Sequence, residues 1–189
     1  MSHDIMIDLE TLGTTADAAI VSIGAVRFDL QAKPGAPFAS ADDCFYRVIN
    51  IDGQPRRRIS GATVSWWMGQ SDAARSVFSA EETVYLRPAL DDLRDWIRLT
   101  CCNAPNVWSN GADFDLPILN HAYEAMCMTA PWKPYTGRCY RTYKNLPGAR
   151  AIKIERQGEH HNALDDAIYQ AQHLCAIHAA LFGGQGGAA

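Results

Sequence analysis

Ile5, Ile7 and Leu9 alternate with Met6, Asp8 and Glu10, the period-two pattern of a strand whose two faces meet different surroundings. Two carboxylates therefore share one face of the opening strand. Leu12 to Ala19 contains Gly13, two threonines and Asp17, a turn composition, and Ile20 to Phe28 predicts a second strand that closes a hairpin, with Gly24 as the place for a bulge. After a loop rich in Pro, Gly and Ser from Lys33 to Ser40, Cys44 to Ile49 predicts a third strand. The chain thus opens as an antiparallel meander.

Helical spacing takes over beyond that point. Thr63 to Phe78 and Pro88 to Leu99 are predicted helices, the second opened by Pro88 and carrying Leu90, Leu93, Trp96 and Ile97 on one face. Asn106 to Ser109 predicts a short buried strand and Asn110-Gly111 a turn. Leu116 to Cys127 predicts a helix with Ile118, Leu119, Ala122, Tyr123 and Met126 on one stripe, Pro117 being tolerated in its first turn. Cys139 to Tyr143 predicts a fifth strand. The last helix runs from Ala163 to Phe182, with Leu164, Ile168, Ala171 and Cys175 as its apolar stripe and Gly183-Gly184 as its stop. The tail Gln185 to Ala189 is expected to be disordered. No repeat and no linker divides the chain, so residues 1–189 are expected to form one α/β domain, a mixed sheet flanked by helices.

Composition acts mainly by exclusion. With 189 residues, 48% of them apolar and 20% charged, the chain is neither disordered nor fibrous. Seventeen Lys plus Arg against 21 Asp plus Glu leave a net charge of -4, which excludes a protein that coats duplex nucleic acid through phosphate neutralisation alone. Local basic strips remain. Arg56-Arg57-Arg58 reads as a solvated face, whereas Arg138, Arg141, Lys144, Arg150, Lys153 and Arg156 end just before His161 and can steer a phosphate backbone. The cysteines at 44, 101, 102, 127, 139 and 175 form no Cys-x-x-Cys pair and are read as reduced thiols rather than zinc ligands. Ile5 to Ile7, the early apolar run, is broken at once by Asp8, so neither a signal peptide nor a membrane span is expected, and the location is read as cytoplasmic.

The candidate chemistry lies in acidic residues at element ends: Asp8 and Glu10 on one strand face, Asp115 at a helix start, and Asp165 or Asp166 at the start of the last helix. A carboxylate on an apolar strand is costly to bury unless it is paired or holds a cation, and two of them repel. Mg²⁺ or Mn²⁺ is the natural compensation, because all-oxygen ligation favours hard cations over zinc. An edge strand with both carboxylates in water would explain the same alternation. His160 and His161 add imidazoles able to take a proton from an attacking water. His160 with Asp165 and His161 with Asp166 have the same spacing, and helix geometry does not choose between them.

Asp8-Leu9-Glu10-Thr11, Asn110-Gly111-Ala112-Asp113-Phe114-Asp115 and His161-Asn162-Ala163-Leu164-Asp165-Asp166, in that order, resemble the three motifs of the DEDDh 3′ to 5′ exonucleases, also called DnaQ-like or RNase T-like. The family form His-x-Ala-Leu-x-Asp selects His161 and Asp166. The Phe-Asp pair selects Asp115 and leaves Asp113 as a helix cap. Thr63-Val64-Ser65-Trp66-Trp67-Met68-Gly69-Gln70-Ser71 and Arg138-Cys139-Tyr140-Arg141-Thr142 further resemble the small stand-alone branch of mycobacterial exoribonucleases and phage exonuclease-VIII-like proteins.

The resemblance implies an RNase H-like sheet, with a three-strand antiparallel meander followed by parallel strands. It implies that Asp8, Glu10, Asp115 and Asp166 hold two ions, Mg²⁺ or Mn²⁺, with His161 as general base. It implies stepwise release of nucleoside 5′-monophosphates from the free 3′ end of a single strand, with RNA slightly preferred over DNA. Thr11, Leu12 and Asn110 are expected at the substrate. One Trp of the pair is expected to pack inward, while the other, taken as Trp67, joins Gln70 in stacking on and hydrogen-bonding to the nucleotide. The resemblance admits a homodimer. Two rivals share parts of this pattern: an endonuclease of the RNase H type, and a catalytically silent nucleic-acid-binding module, which would gain nothing from an anionic pocket.

Overall fold

A computed structural model of the chain describes residues 4–31, 40–101, 105–111 and 113–183. Strand β1 (Asp4–Thr11) pairs antiparallel with β2 (Ile20–Phe28), which pairs antiparallel with β3 (Cys44–Val48). On its other side β1 runs parallel to β4 (Asn106–Ser109), and β4 parallel to β5 (Gly137–Cys139). The order β3-β2-β1-β4-β5 makes β1 the central strand. Asp8 and Glu10 are therefore not edge residues in open water.

The alternation along β1 is the division between two cores. Ile5, Ile7 and Leu9 face α3 (Leu86–Thr100) and α4 (Asp115–Ala125), meeting Leu90, Leu93, Ile97, Ile118, Leu119 and Tyr123. Met6 faces the other way. It joins Val26, Phe28, Trp108 and Tyr140 against Ala167, Ala171 and Leu174 of α6 (Ala163–Phe182). A smaller cluster of Leu12, Val21, Trp67 and Ala74 anchors α1 (Gly61–Met68) and α2 (Asp72–Arg75) beyond the end of β1.

Four expectations change. The helix predicted over Thr63 to Phe78 breaks into α1, α2 and a 3₁₀ turn over Ser76–Ser79, because Gly69 ends the first segment and the Ser71 hydroxyl caps the second by accepting from Ala74 N–H at 3.0 Å. The fifth strand ends where it was expected to begin. β5 stops at Cys139, whose sulfur accepts from Thr142 N–H, and Tyr140–Tyr143 forms the short helix α5. The register slip in β1–β2 falls between Glu10 and Thr11 rather than at Gly24.

Gly24 has another purpose, and it accounts for the fourth change. A Cβ there would stand 2.1 Å from the carbonyl carbon of Ala163. Close approach of helix to strand requires small residues on both, so α6 buries Ala163, Ala167, Ala171, Leu174 and Ile177. Of the predicted stripe Ala171 is buried, while Leu164, Ile168 and Cys175 lie on the half-buried flank. Residues 33–39 of the predicted loop, Cys102, Gly184 and the tail 185–189 lie outside the described residues. Among the described residues no helix is long and apolar enough to cross a membrane.

Gly24→Ala is expected to push the first turn of α6 off the sheet and to lower stability by roughly 1–3 kcal/mol in urea unfolding, the usual range for overpacking. Gly61→Ala is the control. Nothing lies within 4 Å of its added Cβ, and a change beyond about 0.5 kcal/mol there would mean that steric contact is not what separates the two sites.

Candidate active site

The C-terminal half of β1 forms the floor of a cleft of about 670 Å³, to which α1, α4, α6 and the segment before α6 supply the walls. Asp8 and Glu10 project from the β1 face turned toward α6. Asp115 arrives through the parallel β1–β4 pairing, since α4 begins soon after β4 ends; its Oδ1 accepts the Leu9 N–H at 3.1 Å. Its place in the first turn of α4 also suits a negative charge. Asp113 is exposed, and the residue at the N-cap of α4 is Phe114, with no side-chain cap, so the capping role expected of Asp113 is not there.

At the other wall Asn162 caps α6, its Oδ1 accepting from Leu164 N–H at 3.0 Å and Asp165 N–H at 3.2 Å. The cap directs consecutive aspartates to different tasks. Asp166 turns into the cleft, where Oδ2 accepts the His161 N–H at 2.9 Å and Oδ1 accepts from Arg156 Nη2 at 2.5 Å. Asp165 turns back to the preceding loop and accepts the Glu159 N–H at 2.8 Å. Gly158, at φ +79°, packs directly against the Asp165 carboxylate, a conformation and a closeness that only glycine tolerates. His161 itself has φ +63°. That left-handed backbone, held by Asp166, sets its imidazole at the carboxylates.

Electrostatics in the cleft is dominated by burial of the carboxyls, to which their mutual repulsion adds at Asp8 and Glu10. Enclosure first, then Asp115, Glu10 and Asp166, push the Asp8 carboxyl well above the ordinary range. Burial, with Asp166 and Asp115 adding repulsion, pushes Glu10 to about 8. Asp115 is pushed up to about 7 by burial, which outweighs the opposing backbone hydrogen bonds and Arg141. Burial lowers the His161 imidazole more than neighbouring Asp166 raises it, so the ring is neutral at pH 7. One ligand atom each from Glu10, His161 and Asp166 lies within 4.8 Å of the others. A set of carboxylate oxygens that repel one another, with one neutral nitrogen beside them, fits divalent cations.

The expected substrate residues divide. Thr11 and Asn110 line the cleft, and the Asn110 carbonyl accepts from Arg141 Nη2 at 2.6 Å. Leu12 is buried in the small cluster behind it. Trp67, expected at the nucleotide, is 2% exposed and donates its indole N–H to the Thr11 carbonyl at 2.9 Å. That bond pins α1 to the end of β1. Gln70 folds back on the Trp66 carbonyl at 3.0 Å and does not line the cleft. Trp66 is the aromatic wall instead, 46% exposed and edge-to-face with His161 at 4.9 Å.

Gln170 escaped the sequence reading, and Arg156 was read there only as one of a basic group able to steer a phosphate backbone, without its bond to Asp166. Gln170 donates Nε2–H to Asp8 Oδ1 at 2.7 Å. It lies one helical turn after Asp166 on the same buried face, and that i, i+4 spacing was a usable signal. Arg156 acts through a loop whose path carries no periodicity. The Arg56-Arg57-Arg58 run is partly structural, with Arg57 reaching His121 Nδ1 at 3.0 Å and Arg58 paired with Asp17 at 2.7 Å.

Residues 3–178 match the family described as the 3′-5′ exoribonuclease Rv2179c-like domain. An exodeoxyribonuclease of Enterobacteria phage T4 is 29% identical over 129 residues, 61% of this chain and 53% of that protein, so the chain spans about half the length of this relative. Among solved structures, the nuclease domain of 3′hExo, a DEDDh family member bound to rAMP, has a TM-score of 0.62 at 12% identity over 95% of this chain and 92% of that one. E. coli exonuclease I in complex with a dT13 oligonucleotide has a TM-score of 0.59 at 14% identity, covering 95% of this chain and 41% of that one. These likenesses establish a shared RNase H-like fold.

The raised carboxyls imply a stability that depends on pH. Glu10 at about 8 and Asp115 at about 7 keep protons in the folded chain that the unfolded chain, with ordinary values of 4.5 and 3.8, has released. Their contribution is therefore full at low pH and is lost as pH rises through the folded values. The melting temperature of the chelator-treated protein should fall between about pH 5 and pH 8.5, and Mn²⁺ should raise it more at the upper end. A flat profile, or equal Mn²⁺ stabilisation at both ends, would contradict the crowding of carboxyls.

Proposed function

The chain belongs to the 3′-5′ exoribonuclease Rv2179c-like domain family, and on that premise we propose that it removes nucleoside 5′-monophosphates one at a time from the free 3′ end of a single strand, RNA slightly before DNA. The observation that carries this reading is the gathering of Asp8, Glu10, Asp115, His161 and Asp166 in one cleft, walled by an exposed tryptophan.

Asp8, Glu10, Asp115 and Asp166 would hold two divalent cations, Mg²⁺ or Mn²⁺. Bound there, the cations supply positive charge against the phosphate and make water more acidic. His161 takes the proton of the attacking water on its ring nitrogen. Its neutral form at pH 7 is the form that can do so. The water oxygen bonds to phosphorus as the P–O3′ bond breaks, the leaving O3′ takes a proton from solvent water so that the shortened strand keeps a 3′ hydroxyl, and His161 returns its proton to solvent. Trp66 offers its face to the terminal base, Thr11 and Asn110 border the sugar, and Trp67 acts from behind by fixing α1. Gln170 keeps one oxygen of Asp8 in place.

Asp8→Ala should abolish Mn²⁺-dependent release of mononucleotides from 3′-hydroxyl oligonucleotides while the fold persists. His161→Ala should lose roughly two to four decades of turnover, the general-base contribution. Substrates blocked at the 3′ end should resist the wild type, and cutting within them would point to an RNase H-type endonuclease. Matched RNA and DNA strands, assayed with Mg²⁺, Mn²⁺ and chelator, decide sugar and metal preference.

The tryptophans should separate by phenotype. Trp66→Ala is expected to weaken substrate binding by about 5- to 100-fold, the loss of one stacked base, with little change in melting temperature. Trp67→Ala is expected to cost about 3–5 kcal/mol of stability. The reverse outcome would restore Trp67 as the stacking residue.

A further inference from the structure

Arg156 is held by two contacts that do not satisfy it. Its Nη2 donates to Asp166 Oδ1 at 2.5 Å, and its guanidinium lies over the Tyr169 ring with Cζ 4.3 Å from the centroid. Its side chain is only 20% exposed and borders the same cleft as Glu10 and His161. Yet Nη1, itself enclosed, has no hydrogen-bond partner among the described residues. A guanidinium presents its N–H groups as a planar fork that matches the paired oxygens of a carboxylate or a phosphate. Asp166 does not complete that match: its second oxygen accepts the His161 N–H at 2.9 Å, and Nη1 bonds to neither of its oxygens.

The position of Arg156 adds a conflict. Asp166 Oδ1, the oxygen that Arg156 occupies, belongs to the group that would hold a cation with Glu10 and His161. A cation drawn to that oxygen repels the guanidinium. Tyr169 provides the means of retreat, since a cation–π face holds the guanidinium plane without fixing its direction within that plane.

We propose that Arg156 is a substrate-binding residue that changes partners: it neutralises Asp166 in the metal-free chain, and once cations occupy the cleft it slides over Tyr169 and gives its fork to non-bridging oxygens of the terminal phosphate. This inference rests on the exonuclease reading above. The same cation thus serves two anions in turn, a carboxylate that would otherwise be repelled by Glu10 and then the phosphate. Arg141, on the opposite wall, is committed to the Asn110 carbonyl at 2.6 Å and to the neighbourhood of Asp115.

The test compares wild type, Arg156→Ala and Arg156→Lys by titration calorimetry, with melting temperatures to establish folding. Metal-stripped protein is titrated with Mn²⁺, then Mn²⁺-saturated protein with adenosine 5′-monophosphate and, separately, with adenosine. Arg156→Ala should bind Mn²⁺ as tightly as wild type or tighter. It should bind the monophosphate roughly 10- to 100-fold more weakly, the loss of charge-assisted hydrogen bonds, with adenosine unaffected. Arg156→Lys should recover part of that loss, because it keeps the charge without the fork. Weaker binding of Mn²⁺ and nucleotide together, or unchanged monophosphate affinity, overturns the proposal. If the wild type releases no mononucleotides from a 3′-hydroxyl strand, it is the exonuclease reading that falls, whatever the Arg156 variants show.

Discussion

The enclosure of several carboxylates together at the end of β1 is the constraint to which the rest of the molecule answers. Asp8, Glu10 and Asp115 are enclosed together, and each is raised above its ordinary range by that enclosure. A fold left to itself would separate them. Here the backbone forbids separation, because Asp8 and Glu10 share one face of a central strand and Asp115 is tied to Leu9 N–H. Partial compensation comes from Gln170 on Asp8 and from Arg156 and the His161 amide on Asp166. What remains uncompensated is the affinity of the cleft for divalent cations, so the site's instability and its chemistry have one origin.

The means of holding such a cleft together lie outside it. Gly24 lets the Ala163 end of α6 approach β2 across from Asp8, which sets the depth at which Asp166 enters. Trp67 does the same for α1 through the Thr11 carbonyl, and thereby fixes the side on which Trp66 stands. Asp165 and Gly158 fold the loop that carries Arg156 and His161 back onto α6. The Gly24 and Trp67 contacts join backbone to a small or apolar group and are insensitive to the charge state of the cleft, and the Asp165 carboxylate is turned away from it. The scaffold can therefore stay in place while the carboxyls gain or lose protons and cations.

Much of this was legible in the chain because it is written in local period. The alternation of β1 placed two carboxylates on one face and two cores on either side, and the bounds of β2 and α6 follow directly from their composition. The failures are equally physical. The Trp66-Trp67 pair carries no local signal for which ring is buried, since α1 has little apolar asymmetry and the decision rests on a hydrogen bond to a carbonyl 56 residues earlier. The stripe of α6 was centred on Leu164, Ile168, Ala171 and Cys175, whereas the sheet selects Ala163, Ala167 and Ala171 near its start because Gly24 brings the backbones together. His160 with Asp165 and His161 with Asp166 are equivalent along the chain; they differ only through Glu159 and Arg156 on a loop without periodicity.

That same loop determines what His161 can do. An imidazole beside a carboxylate usually becomes easier to protonate, which would make it a poorer base at neutral pH. Asp166 does pull in that direction, but burial pulls harder the other way, and His160 and Arg156 add repulsion to a second positive charge. Asp166 is also engaged through both oxygens, one with the His161 amide and one with Arg156. The carboxylate thus positions the histidine through its backbone while its charge is largely answered elsewhere. Separating position from charge in this way lets a ring stand at the edge of an anionic cleft and still arrive there without a proton.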